Sequence, residues 1–190
     1  MPQIGLVTEG TYDLRTYVSF IRRLNVGPLD IVERACGGRV GGRFAGILTA
    51  FKYQHSTLDR AVIVSDAHGK NPEALLAELA SQAAHLNLPF PVEYVIVVQE
   101  MEAILLCDPP AIVEACTAIS GVTVGLPNVT HSPESMAYPK EKLDQILNER
   151  KVGYTKDVAE AIAMRATVEN ESGASYWSPS FRRFRNAVTL

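Results

Sequence analysis

Three carboxylates stand directly after short apolar runs: Glu9 after Leu6-Val7-Thr8, Asp66 after Val62-Ile63-Val64-Ser65, and Glu100 after Val95-Ile96-Val97-Val98-Gln99. If each run is a parallel strand, all three acids reach the carboxyl edge of one sheet, where loops and helix N-termini meet and ligands bind in open α/β folds. Like charges gathered there repel and resist ionisation unless a cation neutralises them, and hard oxygen donors suit Mg²⁺ or Mn²⁺. Asp13, four residues after Glu9, and Glu102, two after Glu100, give each end a second oxygen, so the cluster has donors for one or two ions. Taken singly, Asp13, Glu100 and Glu102 read equally well as acids that complement the positive end of a helix dipole. The coincidence across three strands favours a shared site. So do the glycines that follow at Glu9-Gly10 and His68-Gly69, where the backbone must turn tightly.

A polyanionic substrate at such a site needs positive contacts that the chain as a whole does not supply, because 18 lysines and arginines against 21 acids leave a net charge of -3. Local candidates are Arg39 and Arg43 in the glycine-rich stretch Cys36 to Arg43, Lys140, Lys156, and the group Arg182, Arg183 and Arg185. Each of these is otherwise a solvated surface cation. The glycine-rich stretch lacks the Gly-Lys-Ser/Thr ending of a phosphate-binding loop and the Gly-x-Gly-x-x-Gly fingerprint, so it reads as a flexible turn. Tyr176 and Trp177 could stack on a base, although an aromatic pair beside a terminal helix is more often packing. Cys36, Cys107 and Cys116 match neither a disulfide framework nor a zinc pattern and are expected to be small buried hydrophobes.

The elements that must position the acids follow from the apolar pattern. With 190 residues and 47% hydrophobic content, one domain is expected: an α/β core over residues 1–116, with a loop and helical extension over 117–190 packed on it. Strands are expected at Ile4 to Thr8, Leu29 to Val32, Ala61 to Val64 (running into Ser65-Asp66) and Tyr94 to Val98, each followed by a helix: Thr11 to Leu24, a stretch through Phe44 to Phe51, one opened by Asn71-Pro72, and an apolar helix from Ala103 to Leu106. Four such units predict an open, mostly parallel four-stranded sheet with helices on both faces. Residues 121–138 read as a long loop. Helices then return after Pro139, after a Thr155 cap, and after Ser178-Pro179-Ser180. The first residues carry no signal-peptide pattern and no apolar run approaches a membrane span, so a cytoplasmic protein without membrane attachment is expected.

Two of these stretches carry a family resemblance. Val7-Thr8-Glu9-Gly10-Thr11-Tyr12-Asp13 and Val64-Ser65-Asp66-Ala67-His68-Gly69 resemble the Glu-Gly and Asp-x-Asp-Gly motifs of the Toprim fold shared by topoisomerases, bacterial primases and the overcoming-lysogenisation-defect nucleases. Gln99-Glu100-Met101-Glu102-Ala103, Tyr138-Pro139-Lys140, Tyr154-Thr155-Lys156 and Ser178 to Phe184 extend the likeness to small stand-alone bacterial Toprim-related proteins of unknown function. The resemblance implies a Toprim-like fold and metal-assisted phosphoryl transfer. In it Glu9 serves as acid/base or ligand, Asp66 as principal metal ligand, and Glu100 or Glu102 completes the site. It implies a nuclease acting on nucleic acid. The alternative is a non-catalytic binding or regulatory module, partner of an ATPase in a bacterial defence system; a small-molecule phosphohydrolase is a third reading. His68 departs from the pattern, standing where a second aspartate is expected. Imidazole can ligate Mn²⁺ but is a poor donor to Mg²⁺, so one of two metal positions is in question.

Overall fold

Alternation builds the sheet. In β1 (Gln3–Thr8), Ile4 and Leu6 turn to one face and Val7 to the other; in β3 (Arg60–Asp66), Val62 and Val64 oppose Ala61 and Ile63; all are fully or almost fully buried. With β2 (Asp30–Ala35) and β4 (Val92–Val97) they form one all-parallel sheet in the order β2-β1-β3-β4. The computed structural model describes residues 1–24, 26–38, 40–121, 125–129, 132–168 and 178–189. Arg39, Tyr176 and Trp177 lie outside the described residues. The fold is the expected open α/β arrangement of Rossmann-like type, with eight helices among the described residues.

Helix α1 (Thr11–Leu24) covers the face of Ile4, Leu6, Val62 and Val64 through Tyr17, Val18, Phe20 and Ile21. Helices α2 (Phe44–Gln54) and α3 (Pro72–Ala83) cover the other, where Phe44, Leu48, Phe51 and Leu79 pack on Val7 and Ile63. Burying both faces accounts for the near-continuous apolar strands. Gly5 is required here, because a Cβ at this position would lie 2.6 Å from the Phe51 ring. β1 connects to β2 on one side while its other neighbour is β3, so the direction of winding reverses between β1 and β3, the place where open sheets bind ligands.

Helices α4 (Met101–Leu106), α5 (Pro109–Ser120), α6 (Pro139–Asn148), α7 (Lys156–Ala163) and α8 (Pro179–Val188) add to the α1 face in a single hydrophobic core. The sequence pattern alone does not separate α4 from α5. The division falls at buried Asp108, which caps α5 through Ala111 N (3.1 Å) and also accepts from Thr167 N (2.6 Å), tying the chain after α7 to this corner. Within 121–138, read as a loop, Pro133–Ser135 forms a single 3-10 turn whose Glu134 is buried. Glu134 accepts from Ser178 Oγ, Ser180 N (3.0 Å) and Ser180 Oγ (3.0 Å), clasping the start of α8. α8 then runs beside β4: Val98 N donates to Ser180 Oγ (3.3 Å) and the Arg183 guanidinium to the Ile96 carbonyl (3.2 Å). That supplies partners to an edge strand. Phe184 and Phe181 lock α8 to α1 by ring contacts with Tyr17 (4.7 Å) and Phe20 (4.9 Å). β2 extends past its apolar run to Ala35, because as the opposite edge strand it leaves Glu33 and Arg34 exposed. No helix among the described residues is long and apolar enough to cross a membrane.

Candidate functional site

Glu9 follows the last residue of β1 and reaches across to β3. Its Oε1 accepts from Ser65 Oγ (2.9 Å) and from Asp66 N (3.2 Å), so the ends of the two central strands are bound together through one carboxylate. Asp66, the last residue of β3, points toward β4, where its Oδ2 accepts from Met101 N (3.3 Å) at the start of α4. Asp13 fills the reciprocal half of a capping box, accepting from Gly10 N (2.8 Å), so it does serve as the helix-start acid that its position allows. Glu102, buried, accepts from the Tyr154 hydroxyl (2.7 Å). Glu100 is different: its Oε2 is buried and has no hydrogen-bond partner among the described residues.

His68 sits between two of these acids. Its Nε2 is 3.3 Å from Glu9 Oε2 and its Nδ1 is 3.5 Å from Glu100 Oε1, so Glu9 and Glu100 stand one imidazole apart. The ring is aimed there by a left-handed turn, His68 φ +47° and Gly69 φ +74°, fixed by the bond from His68 N to Gln99 O (3.1 Å). A non-glycine residue in that region costs roughly 1–2 kcal/mol, which the two strand-end contacts help to offset.

Three of the acids, Asp13, Asp66 and Glu102, resist ionisation. Burial, opposed in part by the Gly10 bond and aided by Glu102 and Glu9, raises Asp13 from 3.8 to about 6. Burial followed by the charges of Asp13, Glu9 and Glu102 holds Asp66 well above the carboxylate range. Burial also lifts Glu102, against the pull of the Tyr154 hydroxyl and of Lys140. Below them the buried Tyr17 hydroxyl has no partner among the described residues, and burial with the Asp66 and Asp13 charges keeps it protonated.

One cleft of about 370 Å³ is lined by Glu9, Asp13, Asp66, His68, Glu100 and Glu102, together with Tyr12, Lys140 and Tyr154. The six acid and histidine positions singled out from the sequence are therefore gathered in one place. Comparison with protein-family models, with curated proteins and with solved structures found no match. The chemistry must be argued from the cleft itself. Its donors, five carboxylates and one imidazole, are of the kind that hold Mg²⁺ or Mn²⁺, and a buried Glu100 oxygen without a partner among the described residues fits a cation. As the side chains stand, no three histidine, cysteine or acidic groups among the described residues form a ready ligand shell. Most are engaged instead by Ser65, Gly10, Met101, Tyr154 and His68.

The cations divide. Lys140, in the first turn of α6, lines the cleft, and Lys156 holds its Nζ 4.9 Å from the centre of the Tyr12 ring at the rim. Arg43 turns back to the Cys36 carbonyl (3.2 Å), bracing the glycine-rich loop, and lines neither this cleft nor its neighbour. Arg183 serves the β4 edge. The neighbouring cavity, about 220 Å³, shares Glu9, Asp66 and His68 as a common wall and is closed by Gly41, Gly42 and Lys70. Tyr12, Tyr154, Ser65 and Lys70 escaped the residue-by-residue reading. Tyr154 had a signal in its Tyr-Thr-Lys motif, whereas Lys70 had none. The three cysteines are buried, and burial raises Cys36 to about 11, which suits inert core residues.

Proposed function

We propose that this cleft hydrolyses phosphodiester bonds of nucleic acid with the help of one or two Mg²⁺ or Mn²⁺ ions, in a cytoplasmic protein of the Toprim-like kind that its motifs resemble. The observation that carries the reading is the cluster of Glu9, Asp66, Glu100, Glu102 and Asp13 in one cleft, where burial and neighbouring charge hold Asp13, Asp66 and Glu102 against ionisation and one oxygen of Glu100 has no partner among the described residues. Asp66, Glu100, Asp13 and Glu102 would hold the ions, Glu102 being oriented by Tyr154. A bound ion would supply charge neutralisation at phosphorus and an activated water. Glu9, fixed by Ser65 and facing His68, is the group to take a proton from the attacking water and return one to the leaving oxygen. Lys140 and Lys156 meet flanking phosphates.

Calorimetric titration with Mg²⁺ and Mn²⁺ tests this directly: ions bind the native protein, and Asp66→Asn loses most of the heat. Failure of both ions to bind the native protein would overturn the reading. Incubation with plasmid, single-stranded DNA and RNA then yields cleavage that Glu9→Gln abolishes. A second reading is favoured by His68, which occupies the space between Glu9 and Glu100: a non-catalytic module that binds without turnover, acting with an ATPase partner in bacterial defence. Metal binding with no cleavage above the Glu9→Gln background selects that reading.

A further inference from the structure

Tyr12 is the second residue of α1, and it stays 42% exposed while lining the acidic cleft. Its ring leans on Tyr154 at 6.4 Å and 46°, and Lys156 Nζ lies 4.9 Å from its centre. Tyr154 spends its hydroxyl on Glu102, so the inner ring supports the floor of the cleft and the outer one remains at the rim. Packing alone accounts for Tyr154 but leaves the exposed part of Tyr12 without a use. Charge alone cannot draw a polyanion here either. The chain carries net charge -3 and the cleft floor is acidic; among the described residues Lys140 lines it and Lys156 stands at its rim. An exposed aromatic ring supplies what the charges lack, because a base can stack on it at no electrostatic cost.

We propose that Tyr12 is a stacking platform for a base of a single-stranded polynucleotide, with Lys156 and Lys140 taking the adjoining phosphates, so that the strand descends past the rim into the acidic cleft. This rests on the phosphodiesterase reading above and names its substrate class. The Lys156 ammonium stands over the ring at 4.9 Å, so a base that stacks on that face takes its place and the flexible lysine swings out to the strand's phosphates. A duplex is disfavoured: its bases already stack on one another, and a cleft of about 370 Å³ admits little more than one small-ligand-sized unit. DNA and RNA share this chemistry.

The test uses the full chain carrying Glu9→Gln, in Mn²⁺, with short fluorescein-labelled DNA and RNA strands and a blunt duplex of the same sequence, read by fluorescence anisotropy. Single strands bind tighter than the duplex; adding Tyr12→Ala weakens single-strand binding about ten-fold, whereas Tyr12→Phe, which keeps the ring, stays within about two-fold. With two phosphate contacts, affinity falls with salt at a log–log slope of only about -1.4. That pattern with either polymer supports the proposal, and the tighter of the two identifies the substrate. Duplex binding as tight as single-strand binding, an unaffected Tyr12→Ala, a Tyr12→Phe as weak as the alanine variant, or no binding of any strand would overturn it. Calorimetry with Mn²⁺ alone keeps the two conclusions apart: if the ion binds and the Tyr12 pattern fails, only the platform falls, whereas absence of ion binding removes the reading beneath it.

Discussion

Replacing Asp13 by asparagine removes one charge from the cleft while leaving an amide oxygen to accept from Gly10 N, so the cap on α1 survives and the electrostatics change alone. In the folded protein Asp13 titrates near 6 rather than 3.8, burial being the main cause, so between those values the native state binds more protons than the unfolded chain. Stability attributable to Asp13 therefore falls as pH rises from about 4 to about 6, and above that the fold carries the full cost of ionising it. Two pKa units at ~1.36 kcal/mol each set an upper bound of about 3 kcal/mol. Asp13 is only partly buried, and solvent screening brings the expected gain for Asp13→Asn to roughly 1–2 kcal/mol at neutral pH. For a chain of this size that is a rise in melting temperature of about 2–4 °C per kcal/mol. The assay is urea denaturation of both proteins in chelator across that pH range. The difference between them should be near zero at about pH 4 and grow to its full value by about pH 7. A variant no more stable than the native protein at neutral pH, or a difference that ignores pH, would refute the claim that ionising Asp13 in this cleft costs stability.

Glu134→Ala leaves three buried donors of Ser178 and Ser180 without their acceptor and should cost about 3 kcal/mol or more in urea denaturation; a loss below about 1 kcal/mol would show that the clasp on α8 is dispensable. His68→Asp places a hard donor where an imidazole now separates Glu9 from Glu100, at a left-handed φ that aspartate tolerates, and should raise Mg²⁺ affinity about ten-fold by calorimetry. Unchanged or weaker binding would mean that His68 does not limit the site.

The sheet was legible because burying both faces leaves β1, β3 and β4 as bare apolar runs, and α1 because its 3.6-residue stripe is complete from Leu14 to Leu24. Caps were equally plain: Asn71, Thr155 and Ser178 each accept from the first-turn amides as their types suggest. What escaped lies in tertiary pairing. Asp108 divides α4 from α5 by bonds to Ala111 and to distant Thr167, and no local period encodes the second. The Ser-Pro-Ser motif reads from sequence as a helix start; only the fold supplies Glu134, 44 residues earlier, as its anchor. Gathering of the acids was legible because strand ends share an edge, while the rim of Tyr12, Tyr154 and Lys156 required α7 to pack beside α1, a placement that periodicity does not specify.

The cleft is also where the chain departs from its own rules. Elsewhere the buried acids are met, Asp108 and Glu134 by two and three hydrogen-bond donors, although Ser19 Oγ lacks a partner among the described residues and Asn87 and Lys151 hold left-handed backbone outside the cleft. At the switch between β1 and β3, by contrast, several carboxyls share a small volume, one oxygen of Glu100 goes unmet, a buried tyrosine hydroxyl beneath them lacks a partner among the described residues, and a histidine holds a left-handed backbone to reach two acids. Each costs stability that ordinary substitutions would restore. Such conflicts concentrate at functional sites because there the sequence is set by a ligand absent from the folded chain. A positive ion among the oxygens, with His68 swung aside or ligating, would ease the carboxyl repulsion and meet the free oxygen of Glu100, which is why we propose a cation rather than an organic anion as the occupant.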